Sequence, residues 1–452
     1  MFIKRDIIKL IIPMIIQNVL SILVGTADSM MVSSAGEAAV SGVSLVGSVD
    51  SLLVLLFSSL VTGGAITVSH ALGSGDRQYT RNSAKQLFYV ALTISTLVCA
   101  FAVLFRVPLI NTLYSSAEKT VIQNGVAYMG IVALSFPFLA ISETGTALLR
   151  VMGNTTTSMY LSLLTNAINI TGNAIFIYGL GMGVRGAAMA TVIARASYAI
   201  IITAILHNKK RSVYYERLWQ YKPDFNVVKK ILRIGIPHGI ESSMFQFGRL
   251  VTQVLISGMG TSVIAANSVA NTLANYLYLP SNAIQNAAVT VVGRCYGAMD
   301  FKEAKKYAKM LLWWTYLCMW VVSLLLCIFV RPITSLYNLT DEGRKIAVML
   351  TLFHALCVST VRPLAFVLPA IFKSAGDVRL SMFVSPVSMW VVRIGSAFIL
   401  SLDAVNLFGL TIRGLGLGIL GVWVAMLGDW VVRAVIFTPY FAKNKWLKKK
   451  NA

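Results

Sequence analysis

The first long apolar stretch of this 452-residue chain contains one carboxylate, Asp28, fifteen residues after Pro13. On a helix rising 1.5 Å per residue, that spacing places it about 22 Å along the axis, in the outer half of a bilayer. A charge in hydrocarbon costs about 2.5 to 3.5 kcal/mol on insertion scales, so an intramembrane carboxylate points to function. A later apolar stretch supplies partners for it: Asn166, Asn169 and Asn173 fall at i, i+3 and i+7, on one helical face. Entering from the other side near residue 157, that helix carries Asn169 and Asn173 about 18 and 24 Å across. Thr191, on the following stretch, reaches a similar level about 10 Å below the outer surface. Carboxylate, amide and hydroxyl oxygens in one layer suit a hard cation such as Na⁺. The same carboxylate, dehydrated, can carry a proton instead, and the spacing leaves both open. The bland alternative for the asparagines is hydrogen bonding between helices.

Other polar residues fall inside apolar stretches. Glu241 follows Pro237 by four residues, as Gln17 follows Pro13. Gln17 and Asp28 are eleven residues apart, about three turns, and so share a face. Glu241 and Arg249 are eight apart, about 80° around one helix, which permits a shared polar network or a bridge from Glu241 to another helix. Arg150, Arg362 and Arg393 read as structural, with Asp429 available as a partner. His70, His238 and His354 lack metal-ligand spacing, and the five cysteines are scattered through apolar segments. No GxxxxGK[ST], HExxH or GxSxG motif occurs, which argues against ATP hydrolysis and against an intramembrane enzyme. A single carboxylate gives no repeated selectivity ring, which argues against a channel.

The elements that must position these groups follow from composition. Hydrophobic residues make up 57% and charged residues 12% of the chain, against about 25% charged in a soluble domain. With a mean hydropathy of +0.74, the chain reads as an integral membrane protein. Apolar segments run near 8–34, 43–72, 84–108, 121–149, 157–181 and 184–207. Six more run near 231–258, 263–296, 307–331, 345–372, 379–402 and 414–441. Twelve spans are expected, in an N-terminal lobe (1–207), a cytoplasmic linker (208–230), a C-terminal lobe (231–441) and a basic tail (442–452). The net charge of +22 sits in short connections instead of one basic face, which excludes a nucleic-acid partner. The basic clusters, among them Lys4, Arg77, Lys209, Lys302, Lys373 and Lys448 to Lys450, alternate along the chain, so both termini are expected to be cytoplasmic.

The two sets of six repeat. At an offset of 224, Pro13, Ser33, Gly36, Gly73, Asp76 and Lys85 meet Pro237, Ser257, Gly260, Gly297, Asp300 and Lys309. At 223, RVMGNTTTSMYLS from Arg150 parallels KSAGDVRLSMFVS from Lys373. Like-oriented halves of this kind are common in transporters.

Over essentially the whole chain these duplicated motifs resemble the multidrug and toxic compound extrusion (MATE) transporters. The likeness rests on a Pro opening each half, the VSxxG-like ends MVSSAG and LISGMG, the GSGD and GAMD turns, and the RxxGN and KxAGD motifs. It implies an all-α membrane protein of twelve helices in two pseudo-symmetric six-helix bundles with a central cleft, in the plasma (inner) membrane. It also implies export of organic, cationic amphipathic compounds against Na⁺ or H⁺ by alternating access, with no cofactor, by a monomer. The acidic residue of the family's first helix falls on Asp28. Some relatives have a second acid where this chain has Asn173, which leaves Asp28 as the only carboxylate expected in that layer. The ion site expected is Asp28, Asn169, Asn173 and Thr191, with Gln17, Asn166, Glu241 and Arg249 as a polar network toward the substrate. A related two-lobed plan serves lipid-linked precursor flippases, the alternative reading.

Overall fold

The computed structural model describes residues 2–447 apart from 116, 217, 221, 408 and 409, so the expected topology signals Lys448, Lys449 and Lys450 lie outside the described residues. Twelve long helices run in chain order. The first six are α1 (Lys4–Ser33), α2 (Glu37–Gly73), α3 (Arg77–Leu104), α4 (Lys119–Val151), α5 (Thr155–Asn173) and α6 (Gly183–Leu206). The second six are α7 (Phe225–Ser257), α8 (Thr261–Gly297), α9 (Phe301–Ser335), α10 (Asp341–Ser374), α11 (Arg379–Ser401) and α12 (Gly418–Ala442). Two small additions escaped the hydropathy reading: a two-turn helix at Arg106–Leu113, and a hairpin of β1 (Ala404–Leu407) and β2 (Leu410–Arg413) in antiparallel register.

Nine of these helices, among the described residues, are long and apolar enough to cross a membrane. Large apolar side chains on α3 and α9, such as Leu97, Phe101, Leu324 and Ile328, stand exposed, as they do where the neighbour is lipid. The protein is a multi-pass membrane protein.

The repeat seen in the sequence reappears in the backbone. Asp76 and Asp300 both N-cap the helices that follow, accepting from the backbone N–H of Tyr79 at 2.9 Å and of Glu303 at 3.0 Å. Gly36 and Gly260 precede α2 and α8 with φ of 100° and 95°, a conformation a side chain would disfavour.

By internal packing the chain divides into Met1–Gly239 and Ile240–Ala452. In the first unit, Val46, Phe57, Ile110, Met129 and Phe136 form a buried core. In the second, Leu273, Leu277, Met319, Leu326, Val358 and Trp430 do so.

The division falls at Gly239, beyond the expected linker 208–230, because that linker is laced to α3. Asn82 donates to the Asp224 carboxylate at 2.7 Å, Lys85 to the Gln220 carbonyl at 2.5 Å and Gln86 to the Lys222 carbonyl at 2.7 Å. Tyr89 donates to the Leu218 carbonyl, and the Arg81 guanidinium lies 4.5 Å over the Tyr214 ring. Residues 82, 85, 86 and 89 share one face of α3, so the linker runs along that face. The opening turns of α7 then cross α2 backbone to backbone. A Cβ added at Gly63 would lie 2.5 Å from the Gly235 nitrogen and 2.7 Å from the Ile231 oxygen.

Candidate ion-coupling site

Asp28, near the end of α1, faces α5. Asn173 donates to its Oδ1 at 2.6 Å. The Asn169 amide lies 2.7 Å from Oδ1 and 3.2 Å from Oδ2 when its nitrogen faces the carboxylate, and so donates to both. With the oxygen turned inward instead, the same amide accepts from a protonated carboxyl. The i, i+4 spacing on α5 puts these two amides one turn apart on the face toward α1. Asn169 and Asn173 are buried, and the Asn173 Oδ1 has no hydrogen-bond partner. A buried acceptor without a partner is costly, and beside a carboxylate it is a group a cation can satisfy. Immediately after Asn173 the helix widens into a π turn, Ala174–Gly179, a local form frequent at functional sites.

The other expected site residues divide. Asn166 shares the α5 face, and its Nδ2 is buried without a partner. Gln17 is half-buried on α1 and, among the described residues, is not hydrogen-bonded to Asp28. Thr191 is likewise not among Asp28's partners: its hydroxyl donates to the Ala187 carbonyl at 3.0 Å and meets the Tyr128 side chain. The oxygens that fit a cation are therefore those of Asp28, Asn173 and Asn169.

Asp28 is not the only interior acid of the first unit. Asp50 on α2 forms a two-pronged pair with Arg195 on α6, at 3.0 Å to Nη1 and 2.8 Å to Nη2, and Arg195 also donates to Ser135 at 2.8 Å. The field of Arg195 reaches Asp28 and Glu143, and Tyr128 lies within the fields of Asp28, Asp50 and Arg195. The first unit thus holds three interior carboxylates around one engaged guanidinium, with Arg150 beside Glu143. The signal in the sequence was a lone charge in each apolar stretch, Asp50 in VGSVDSLLV and Arg195 in TVIARASYA.

The second unit does not repeat this. The 224 offset puts Thr252 where the first has Asp28 and Ala274 where it has Asp50, and the 223 offset puts Ser396 in place of Asn173. Glu241 and Arg249 do not pair: Glu241 accepts from Lys373 at 3.2 Å, and Arg249 lines a separate cavity. Glu241 therefore takes the interhelical bridge. Asp429 is held by Arg433 on its own helix, at 2.8 and 3.1 Å, and is not the partner of Arg150 or Arg362. Arg362 instead stacks 3.8 Å from the Tyr278 ring and 4.3 Å from the Phe366 ring, and donates to Asn282 at 3.2 Å. His354 accepts ordinary packing, against Trp423 and Trp430 and within 2.7 Å of the Tyr278 hydroxyl.

Twelve long helices in duplicated sixes, nine of them long and apolar enough to cross a membrane among the described residues, with a carboxylate–amide cluster in the first unit, are the plan of a membrane transport protein. Comparison with known proteins gives the family. The MatE family model matches residues 13–175 and again 237–399, two segments separated by the same 224 residues as the internal repeat, and the chain belongs to that family. It is 26% identical over 458 residues to "Probable multidrug resistance protein NorM" of Thermotoga maritima, across 99% of this chain and 94% of that protein. Among solved structures, "Crystal structure of MATE in the bent conformation" superposes with a TM-score of 0.87 at 20% identity, covering 98% of this chain and 95% of the other. "Outward-facing conformation of a multidrug resistance MATE family transporter of the MOP superfamily" does so with 0.84 at 20% identity, covering 98% and 96%.

Proposed function

We propose that this protein is a secondary active exporter of organic compounds, coupled by alternating access to Na⁺ or H⁺ at Asp28. The observation that carries the reading is the Asp28 carboxylate between Asn169 and Asn173, beside a buried amide oxygen with no partner. Cation binding there draws Asn169 and Asn173 on α5 toward α1, whereas the bare carboxylate is held by the amide donors alone. Only a difference in cation affinity between two conformations lets an ion gradient drive transport, and a site assembled from two helices supplies one. The multidrug resistance name carried by the Thermotoga maritima relative supports the export reading, as does the family. The proposed setting is the plasma membrane, with both termini cytoplasmic and the chain acting as a monomer. A second reading, flipping of a lipid-linked precursor, is favoured by the arginines of the second unit.

The test is efflux of an organic dye from proteoliposomes under separately imposed Na⁺ and pH gradients, with the native chain and Asp28→Asn. The native chain is expected to export under at least one gradient and the variant under neither. Export by the variant at the native rate would remove Asp28 from the mechanism.

A further inference from the structure

The second unit has a half-open cavity of about 370 Å³, at the lower end of the range for small-molecule sites. Its polar lining includes Arg249 on α7, Asn267, Asn271 and Asn275 on α8, Arg393 on α11 and Trp423 on α12. Among the described residues, no Asp or Glu lines it. Arg393 is 8% exposed, and its Nε is buried with no hydrogen-bond partner. It lies in the π segment Ser388–Ile394 of α11. The charges acting on it are Arg249, Arg433 and a single carboxylate, Asp429. That carboxylate is already held on both oxygens by Arg433. Among the described residues, neither Arg249 nor Arg393 has a carboxylate within ion-pair distance. The Trp423 indole donates to the Asn267 side-chain oxygen at 3.0 Å, which leaves the amide nitrogen of Asn267 as a donor.

Two guanidinium groups, a buried N–H with no partner and amide donors around a half-open cavity are the complement of an anion. Buried positive charge without a counter-charge is unfavourable, and a bound carboxylate or phosphate would supply that counter-charge. A cationic group would meet two like charges there. We propose that this cavity binds the anionic group, carboxylate or phosphate, of a small organic compound between Arg249 and Arg393. Its aromatic side is the Trp423 indole. Treating the cavity as a cargo site rests on the export function proposed above; binding itself does not. On that footing the cargo is an organic anion or zwitterion, in place of the cationic class implied by family resemblance.

The experiment compares dansylglycine with dansylglycinamide, which lacks the carboxylate, by fluorescence anisotropy on the purified protein in phosphatidylcholine nanodiscs. The acid is expected to bind at least tenfold more tightly than the amide. Arg249→Gln and Arg393→Gln should each remove about tenfold for the acid alone, while Arg249→Lys keeps most of the affinity and Arg344→Gln, outside the cavity, keeps all of it. Equal binding of acid and amide would overturn the proposal, as would unchanged acid affinity in both glutamine variants. If Arg393→Gln fails to fold, the exposed Arg249 decides through its Gln and Lys variants. Discs containing phosphatidylglycerol separate the two sources of anion: weaker dansylglycine binding there assigns the site to a lipid headgroup, unchanged binding to a free anion, and both keep the anion site. Asp28→Asn, outside the cavity, should leave binding intact; native protein that binds the acid yet exports under neither gradient would remove the transport reading alone.

Discussion

Gly63→Ala tests the crossing of α2 and α7. The new Cβ would lie 2.5 Å from the Gly235 nitrogen, 2.7 Å from the Ile231 oxygen and 2.8 Å from the Gly235 Cα. Ordinary contact begins near 3.4 Å, so the two backbones have to part by about 0.9 Å, the difference between 3.4 and 2.5. All three obstructing atoms are backbone, so no side chain can swing away. Overpacking of this kind costs about 1 to 3 kcal/mol. Alanine returns up to about 1 kcal/mol of helix propensity over glycine. The same helix provides the control: Gly47 has nothing within 4 Å of an added Cβ, so Gly47→Ala collects the propensity gain without the clash. The two variants should therefore move thermal stability in opposite directions. For a unit of this size, a net loss of about 1 to 2 kcal/mol lowers the midpoint by roughly 2 to 8 °C. Thermal unfolding in lipid nanodiscs, followed by tryptophan fluorescence, reads the difference. Gly63→Ala melting at or above the native protein would refute the backbone-to-backbone crossing.

Asp50→Asn leaves the Arg195 guanidinium without its two-pronged partner; the pair is partly buried, and losing hydrogen bonds to a charged group there costs about 1.5 to 3 kcal/mol. The exchange Asp50→Arg with Arg195→Asp should recover part of that stability in the same unfolding assay, and no recovery at all would mean the pair is incidental. Asn82→Ala removes the hydrogen bond to Asp224 that fastens the linker, worth about 1 kcal/mol at a partly solvated position. Where cleavage follows local opening, limited trypsin digestion between residues 209 and 230 should quicken by roughly fivefold; an unchanged rate would mean that the remaining contacts hold the linker without it.

Asp28 and the asparagine face of α5 were legible because a carboxylate in an apolar stretch and a 3.6-residue period are both local signals. The repeat was legible for a related reason: capping aspartates and positive-φ glycines are fixed by backbone geometry, so Asp76 and Asp300, or Gly36 and Gly260, kept their register. The Asp50–Arg195 pair joins residues 145 positions apart, and nothing in either stretch names the other. Thr191 was expected in the Asp28 layer, but depth along a helix says nothing of which neighbour its hydroxyl meets, and it bonds to Ala187 and Tyr128 instead. Glu241 and Arg249 looked adjacent on a helical wheel, yet Lys373, 132 residues away, offered Glu241 the nearer charge. The π turns after Asn173 and around Arg393 left no periodic trace.

The duplication copied a scaffold and not its electrostatics. Where one copy has Asp28 and Asp50, its twin has Thr252 and Ala274, and the twin's interior is furnished with arginine. Grafting an acid at Thr252 would therefore not manufacture a second ion site, since Ser396 stands in for the amide of Asn173 and the nearest company would be Arg249 and Arg393. The two halves thus share a backbone plan and differ in the charge each offers a ligand: a carboxylate between amides in one, arginines around a cavity in the other.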